Sequence, residues 1–332
     1  MKSSWAFVAA TAAFTVITAA HAQPSAIQQL QNSQQLQLQT AAPELRTGTN
    51  APELYRGEND DVGPQRILRV GSKPKALRRE WLEAQMDSQI FYSDNANFSG
   101  TENRIGSWVF VNTALVSLSP DPFNLGSAKF APAIGFSSQW YNYGSGQMKS
   151  LDFNAQTAFA NLRYLLGNWQ FSLGGNFTRL LSQDDYAETY REWLPNFSVQ
   201  RVLPVNNSMA LIIGDAVSYH FSRVPQATAL LTDINDHLDN TFYTTLNWQL
   251  TDHLLVQPFY RFQYSNYKND TIASSHRNDY LNAAGLTAYY SLGKHATLRT
   301  FFSYTTKTSD DQFTPAYDEL NGGIGATLDI RF

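Results

Sequence analysis

The chain has 332 residues, with 24 Lys and Arg against 28 Asp and Glu, a formal net charge of -4 and no cysteine. That composition excludes disulfides, thiolate chemistry and cysteine-held metals, and the acidic balance speaks against nucleic acid as a partner. Aromatic residues make up 14% and charged residues 16%, the latter well below the roughly 25% of an average globular chain.

Residues 1–22 read as a secretory signal peptide: an apolar run from Trp5 to Ala20 follows Lys2, and Ala20-His21-Ala22 supplies a small-x-small cleavage pattern before Gln23. Cleavage is expected after Ala22. Residues 23–50 are Gln-rich and nearly free of charge, and 51–80 carry turn signals at Pro52, Gly57, Gly63-Pro64 and Pro74. Together, residues 23–80 are expected to form a short irregular, flexible periplasmic extension, with one short strand at Gln65–Val70.

From residue 84 to residue 332 the texture is different. Period-2 runs alternate with polar stretches, at Gln85–Ser93, Gly106–Leu118, Lys129–Asn142, Leu151–Leu165, Trp169–Leu181 and Tyr190–Val202. They continue at Ser208–Phe221, Thr241–Leu250, Leu254–Lys268, Tyr280–Leu292, Thr297–Thr306 and Leu320–Phe332. Within Leu254–Lys268, for example, Val256, Tyr260, Phe262 and Tyr264 oppose Gln257, Arg261, Gln263 and Ser265. No run reaches the roughly 18 apolar residues of a transmembrane helix, yet a barrel strand needs only every second residue toward lipid.

The connections alternate as well. Leu166–Asn168, Pro204–Asn207, Thr251–His253 and Gly293–His295 are tight, whereas Asp94–Ile105, Ser182–Thr189, Ser222–Asn240, Asn269–Asp279 and Lys307–Glu319 are longer and polar. Short turns on one side and long loops on the other are the outer-membrane arrangement. Two connections break the rule: Ser119–Ala128 is long for an inner turn and Tyr143–Ser150 is short for an outer loop. Trp169, Trp193, Trp248, Tyr219, Tyr264, Tyr289 and Tyr290 fall near strand ends, where interfacial girdles lie. A soluble sandwich or barrel would alternate too, but it predicts neither this loop asymmetry nor these aromatics. The expected fold is all-β: a transmembrane antiparallel up-and-down β-barrel of about 12 strands.

The last run ends on Phe332, with Ile324, Ala326, Leu328 and Ile330 at every second position before it. This resembles the C-terminal strand of Gram-negative bacterial outer-membrane β-barrel proteins. The resemblance implies location in the cell outer membrane, contact with its lipid and lipopolysaccharide, and recognition of Leu328, Ile330 and Phe332 by the barrel-assembly machinery.

Three functions follow as expectations. The leading one is a narrow pore or transporter for small polar solutes, with Arg261, Arg299, Arg331, Asp329, Gln257 and Gln263 facing the lumen and tuning selectivity. A second is a barrel anchor or scaffold that engages a periplasmic partner through residues 23–80. The third is an outer-leaflet lipid hydrolase. His220 and Ser222 are two apart on one strand face, and a His-x-Ser pair resembles outer-membrane phospholipases and lipid A deacylases, although Arg223 stands where those families usually carry Asn. Translocators of autotransporters share the strand number but carry a passenger larger than residues 23–80. No cofactor is expected. Asp233, Asp236 and Asp239, with His237, form an acidic stretch on an expected outer loop without Ca²⁺-loop spacing, and read as solvated rather than metal-binding.

Overall fold

The computed structural model describes residues 81–126, 128–225, 236–268, 277–293, 295–311, 314 and 316–332. The expected signal peptide, the Gln-rich extension and Asp233 lie outside these residues. The described chain forms β1 (Leu82–Ser93), β2 (Ser107–Leu118), β3 (Phe123–Leu125), β4 (Ala128–Tyr143), β5 (Phe153–Leu166), β6 (Trp169–Ser182) and β7 (Glu188–Asn206). It continues through β8 (Met209–Arg223), β9 (His237–Gln249), β10 (Leu254–Tyr267), β11 (Asn278–Ser291), β12 (Ala296–Ser309) and β13 (Tyr317–Arg331).

Each long strand pairs antiparallel with its neighbours in sequence, and β2 pairs directly with β4 because β3 is a short addition to the inner end of β4. β1 pairs with β13 from Glu83↔Arg331 to Ser93↔Asn321, so the twelve long strands close on themselves. Closure leaves no row of backbone amides facing lipid, where each would cost several kcal/mol. Phe332 completes the seam: its N–H donates to Leu82 O at 2.8 Å, and Leu82 N–H returns a longer bond to Phe332 O at 3.4 Å.

Side chains alternate across the wall as the period-2 reading requires. On β9, Leu238, Phe242 and Trp248 face outward, while His237, Asp239, Thr241, Tyr243, Thr245 and Asn247 are buried inside. On the last strand Ile324, Leu328, Ile330 and Phe332 point to lipid, with Thr327, Asp329 and Arg331 toward the lumen. The outer wall is thus apolar and flanked by aromatics. On the outer side stand Tyr92 against Trp108, with ring centroids 5.5 Å apart, and Tyr264 against Tyr280 at 5.4 Å. On the inner side Phe123, Phe130, Tyr164 and Phe171 stack in succession at 5.5, 5.2 and 5.5 Å. A closed barrel with an apolar outer wall and two aromatic girdles is built to cross a bilayer. The described chain is a closed antiparallel β-barrel of twelve long strands with the outer surface of a membrane-spanning wall.

Both exceptions to the loop rule have a structural reason. The long inner connection contains β3, which extends the sheet and carries Phe123 into the inner girdle. The short outer one folds as a 3₁₀ turn, Gly146–Leu151, over the barrel mouth. Three expectations are corrected. Tyr289 is not in a girdle; it lies one residue out of phase with Tyr290 and is 2% exposed on the lumen side. β9 also begins four residues before Thr241, at His237, so His237 and Asp239 belong to the wall and not to an outer loop. The inward positions there are ionisable and the outward Asn240 is polar, so hydropathy gave no alternation to follow. For the same reason Lys307 and Glu319 are strand residues of β12 and β13.

Close approach inside the barrel requires glycine at the seam. A Cβ on Gly323 would lie 2.4 Å from Ile90 O and 2.4 Å from Phe91 Cβ, backbone and near-backbone atoms that cannot swing aside. Gly323→Val is therefore expected to open the β1–β13 seam, costing about 1–3 kcal/mol or more. The folded fraction, read as the heat-modifiable band on a cold gel, should fall, while Gly322→Val, with nothing nearer than 3.8 Å, should leave it unchanged.

Candidate functional site in the barrel lumen

The inner half of the lumen combines an apolar cluster of Val202, Ala210, Ile212, Leu255 and Tyr289 with many polar groups. Gln200 Nε2 donates to Gln170 Oε1 at 3.1 Å, Tyr243 Oη donates to Gln200 Oε1 at 3.0 Å, and Gln257 Nε2 donates to Asn247 Oδ1 at 2.6 Å. Arg299 spans the seam, with Nη2 3.2 Å from Asp87 Oδ1 and 2.7 Å from Gln89 Oε1, and Thr327 Oγ1 donates to Asp87 Oδ2 at 2.6 Å. Arg331 Nε lies 3.5 Å from Asp329 Oδ2 at the inner rim. Arg261, Gln257 and Gln263 all point inward from β10 and are nearly inaccessible to water. Each lumen-facing residue expected from sequence is therefore in the lumen. Arg299 and Arg331 have carboxylate neighbours, so they brace the wall as well as charge it.

Near the outer end the β1–β7 side of the interior is apolar. Phe91, Val109, Val111, Tyr141, Tyr143 and Phe153 project inward from β1, β2, β4 and β5, and Leu180 and Tyr190 close the cluster from β6 and β7. Tyr141 and Phe153 stack at 4.4 Å. Met148, at 1% exposure, enters this cluster from the 3₁₀ turn of the β4–β5 connection. That turn is pinned: Asp152 Oδ1 accepts Tyr143 N–H at 2.7 Å, Lys149 Nζ lies 2.7 Å from Asp152 Oδ2, and Gln183 Nε2 donates to Tyr141 O and Phe153 O, each at 3.0 Å. The β1–β2 connection also turns inward, packing Phe98 on Tyr317 at 5.2 Å, with Asn95 Nδ2 donating to Asp318 O at 2.8 Å. Side chains and two connections thus pack as a plug into the mouth on its β1–β7 side.

Beside the plug runs an ionisable network on β7 to β12. His220 Nδ1 lies 3.0 Å from Glu192 Oε2, and His220 Nε2 lies 3.2 Å from Asp239 Oδ2. Tyr190 Oη donates to the same Glu192 oxygen at 2.9 Å and Gln263 Nε2 donates to Asp239 Oδ2 at 2.7 Å. Strand register then builds a column of rings. His220 stacks on His237 at 4.0 Å, His237 on Tyr267 at 4.5 Å, and the Arg277 guanidinium covers Tyr267 at 4.0 Å. Arg277 also pairs with Asp279, whose Oδ2 lies 2.7 Å from Lys307 Nζ. Above the strands the Asp310 carboxylate accepts Asn278 N–H at 2.6 Å, which holds its pKa below the ordinary aspartate value.

His220 and Ser222 do share the inward face, but they are not joined. Ser222 Oγ donates to Asp236 Oδ1 at 2.9 Å, which also accepts Ser222 N–H at 2.6 Å, and both His220 nitrogens face carboxylates. A nucleophile needs its base within hydrogen-bond reach, and here the base is engaged elsewhere and buried away from lipid. His220, His237 and Asp239 each bring a possible ligand atom within 4.8 Å of the others. In the arrangement seen, the two rings are parallel within 8° and 4.0 Å apart. In-plane lone pairs of two parallel stacked rings do not converge on one ion at the roughly 2.0–2.1 Å of a metal–imidazole bond. Asp236 is engaged with Ser222.

Glu192, His237, Asp279, Lys307, Met148 and the tyrosines of the plug were not expected from sequence. Glu192, Tyr190 and Tyr141 lie inside runs read as strands, and extending the period-2 phase of β4, β9, β11 and β12 outward by a few residues would have placed Tyr143, His237, Asp279 and Lys307 in the lumen.

No family model and no curated protein matches this sequence. Among solved structures, similarity is found to an outer membrane channel from Pseudomonas putida F1, at 10% identity over 78% of this chain and 100% of that one, with a TM-score of 0.48. The outer membrane channel DcaP of Acinetobacter baumannii is similar at 9% identity over 75% of this chain and 96% of that one, with a TM-score of 0.40. The translocator domain of the autotransporter NalP from Neisseria meningitidis gives 15% identity over 75% and 88%, with a TM-score of 0.34.

Proposed function

We propose that the barrel is a narrow channel for small polar solutes across the outer membrane, closed at its outer mouth. One observation carries this reading. The inner lumen carries amides, hydroxyls and charges of both signs beside an apolar cluster of Val202, Ile212, Leu255 and Tyr289, whereas the apolar packing at the outer mouth is completed by Met148 and Phe98, which come from connections. A barrel that only anchored a partner would be as stable with an apolar fill throughout, since buried ion pairs contribute little net stability. Connections, unlike strands in a closed sheet, can withdraw without breaking the ladder.

The folded protein in planar bilayers is expected to show infrequent, small unitary openings. Arg299→Ala, which removes a lumen cation beside Asp87, should shift the reversal potential in a salt gradient toward cation preference. Folded protein that produced no openings, and no uptake of small sugars or amino acids into liposomes, would overturn the channel reading.

A further inference from the structure

On the lipid-facing side, three adjacent strands carry arginine at matched positions. Arg179 on β6 is paired in register with Arg191 on β7, and Arg191 with Arg223 on β8. Neighbouring strands are about 4.8 Å apart, so three arginines start from adjacent positions on one exterior patch. Like charges directly opposite across a ladder are destabilising, and lumen carboxylates cannot offset these because they lie behind the wall. The local compensation is partial. Arg191 Nη1 lies 3.6 Å from Glu188 Oε1, Arg179 donates through Nε and Nη2 to the neutral Gln156 Oε1 at 2.9 and 2.7 Å, and Arg223 has no partner among the described residues. Asp184 and Asp185 stand on the adjoining β6–β7 turn, but the Asp185 carboxylate is turned onto Ala187 N–H at 3.0 Å.

One pleat toward the bilayer centre, the same strands carry Phe177, Trp193 and Phe221, again paired in register, all between 41 and 51% exposed. Trp at a strand end marks the boundary between hydrocarbon and headgroups, and this is the side of the long connections. The arginine row therefore stands at headgroup height in the outer leaflet. Arginine presents a planar fork that binds phosphate with two parallel hydrogen bonds, and a phosphate between neighbouring strands can accept from two such forks.

We propose that Arg179, Arg191 and Arg223 form a binding site for the phosphate groups of an outer-leaflet lipid, that is, of lipopolysaccharide. The anion relieves the repulsion within the row, and the aromatic row below receives the acyl chains. The site is independent of the channel reading.

The test compares binding of lipopolysaccharide by the folded full chain in detergent with binding by the triple variant Arg179→Gln, Arg191→Gln, Arg223→Gln. The variant is expected to bind about tenfold or more weakly, with its heat-modifiable fold kept. Enzymatically dephosphorylated lipopolysaccharide should bind the unaltered protein as weakly as the variant binds the intact lipid. Lys149→Gln, a charge loss on the β4–β5 turn, should change nothing. Millimolar inorganic phosphate should fail to displace the lipid; displacement would assign the row to free phosphate and overturn the lipid site. Equal binding by the triple variant, or by the dephosphorylated lipid, would overturn it as well. Should the triple variant not fold, Arg223→Gln alone is read instead, with a loss of about threefold expected and no loss overturning the proposal.

Discussion

Shortening the β4–β5 connection by removing Ser145–Lys149 is expected to raise the conductance of the folded barrel about tenfold, because it takes Met148 out of an apolar constriction that excludes water. Strand pairing should survive. The β4–β5 ladder ends at Tyr141↔Phe153, below the deleted turn, so no cross-strand bond of that ladder is lost. A point substitution tests the same idea with less disruption. Met148→Asp places a charge among Tyr141, Tyr143, Phe153 and Leu180, where an unpaired carboxylate is costly. The turn should then be expelled and openings become frequent. Single-channel recording separates the outcomes. If both variants conduct no more than the unaltered protein, the barrier lies deeper, and the plug is a fixed part of the wall. If the deletion conducts and the point variant does not, the turn itself closes the mouth and stays seated without the Met148 side chain.

What could be read from sequence tracks where side-chain polarity differs between the two faces of a strand. Phe242, Leu246 and Trp248 against Thr241, Thr245 and Asn247 differ strongly, so β9 was visible there. Four residues earlier, Leu238 and Asn240 oppose His237 and Asp239, and no scale distinguishes a wall from a loop. Facing was legible wherever the strand was, which is why Arg261, Arg299, Arg331 and Asp329 fell on the lumen side. Contacts between strands were not, because register depends on the shear of the closed sheet. The His220–His237–Tyr267 column and the Arg179–Arg191–Arg223 row each join residues from three strands, and sequence reads one strand at a time. Met148 was hidden for a different reason: a 3₁₀ turn has no hydropathy period, and its burial follows from the strands it covers.

The ionisable network makes the sharpest demand on stability. Glu192, His220 and Asp239 have side chains exposed by 0, 2 and 1%. His220→Ala takes the shared ring from between two buried carboxylates and also removes the stack on His237. Breaking a buried ion pair from one side typically costs about 3–5 kcal/mol, more than the pair itself contributes, since the remaining charge has no solvent. The expected result is a marked fall in the urea midpoint for unfolding from liposomes. Replacing the whole network is the discriminating control. A combined Glu192→Gln, His220→Gln, Asp239→Asn variant keeps polar contacts and leaves no stranded charge, so it should recover most of the loss. Ser222→Ala removes one hydroxyl bond to Asp236, which retains the Ser222 N–H, and should cost only about 1 kcal/mol. If His220→Ala were as mild as Ser222→Ala, water must reach the network, and the mouth of the barrel would be open beside the plug rather than sealed around it.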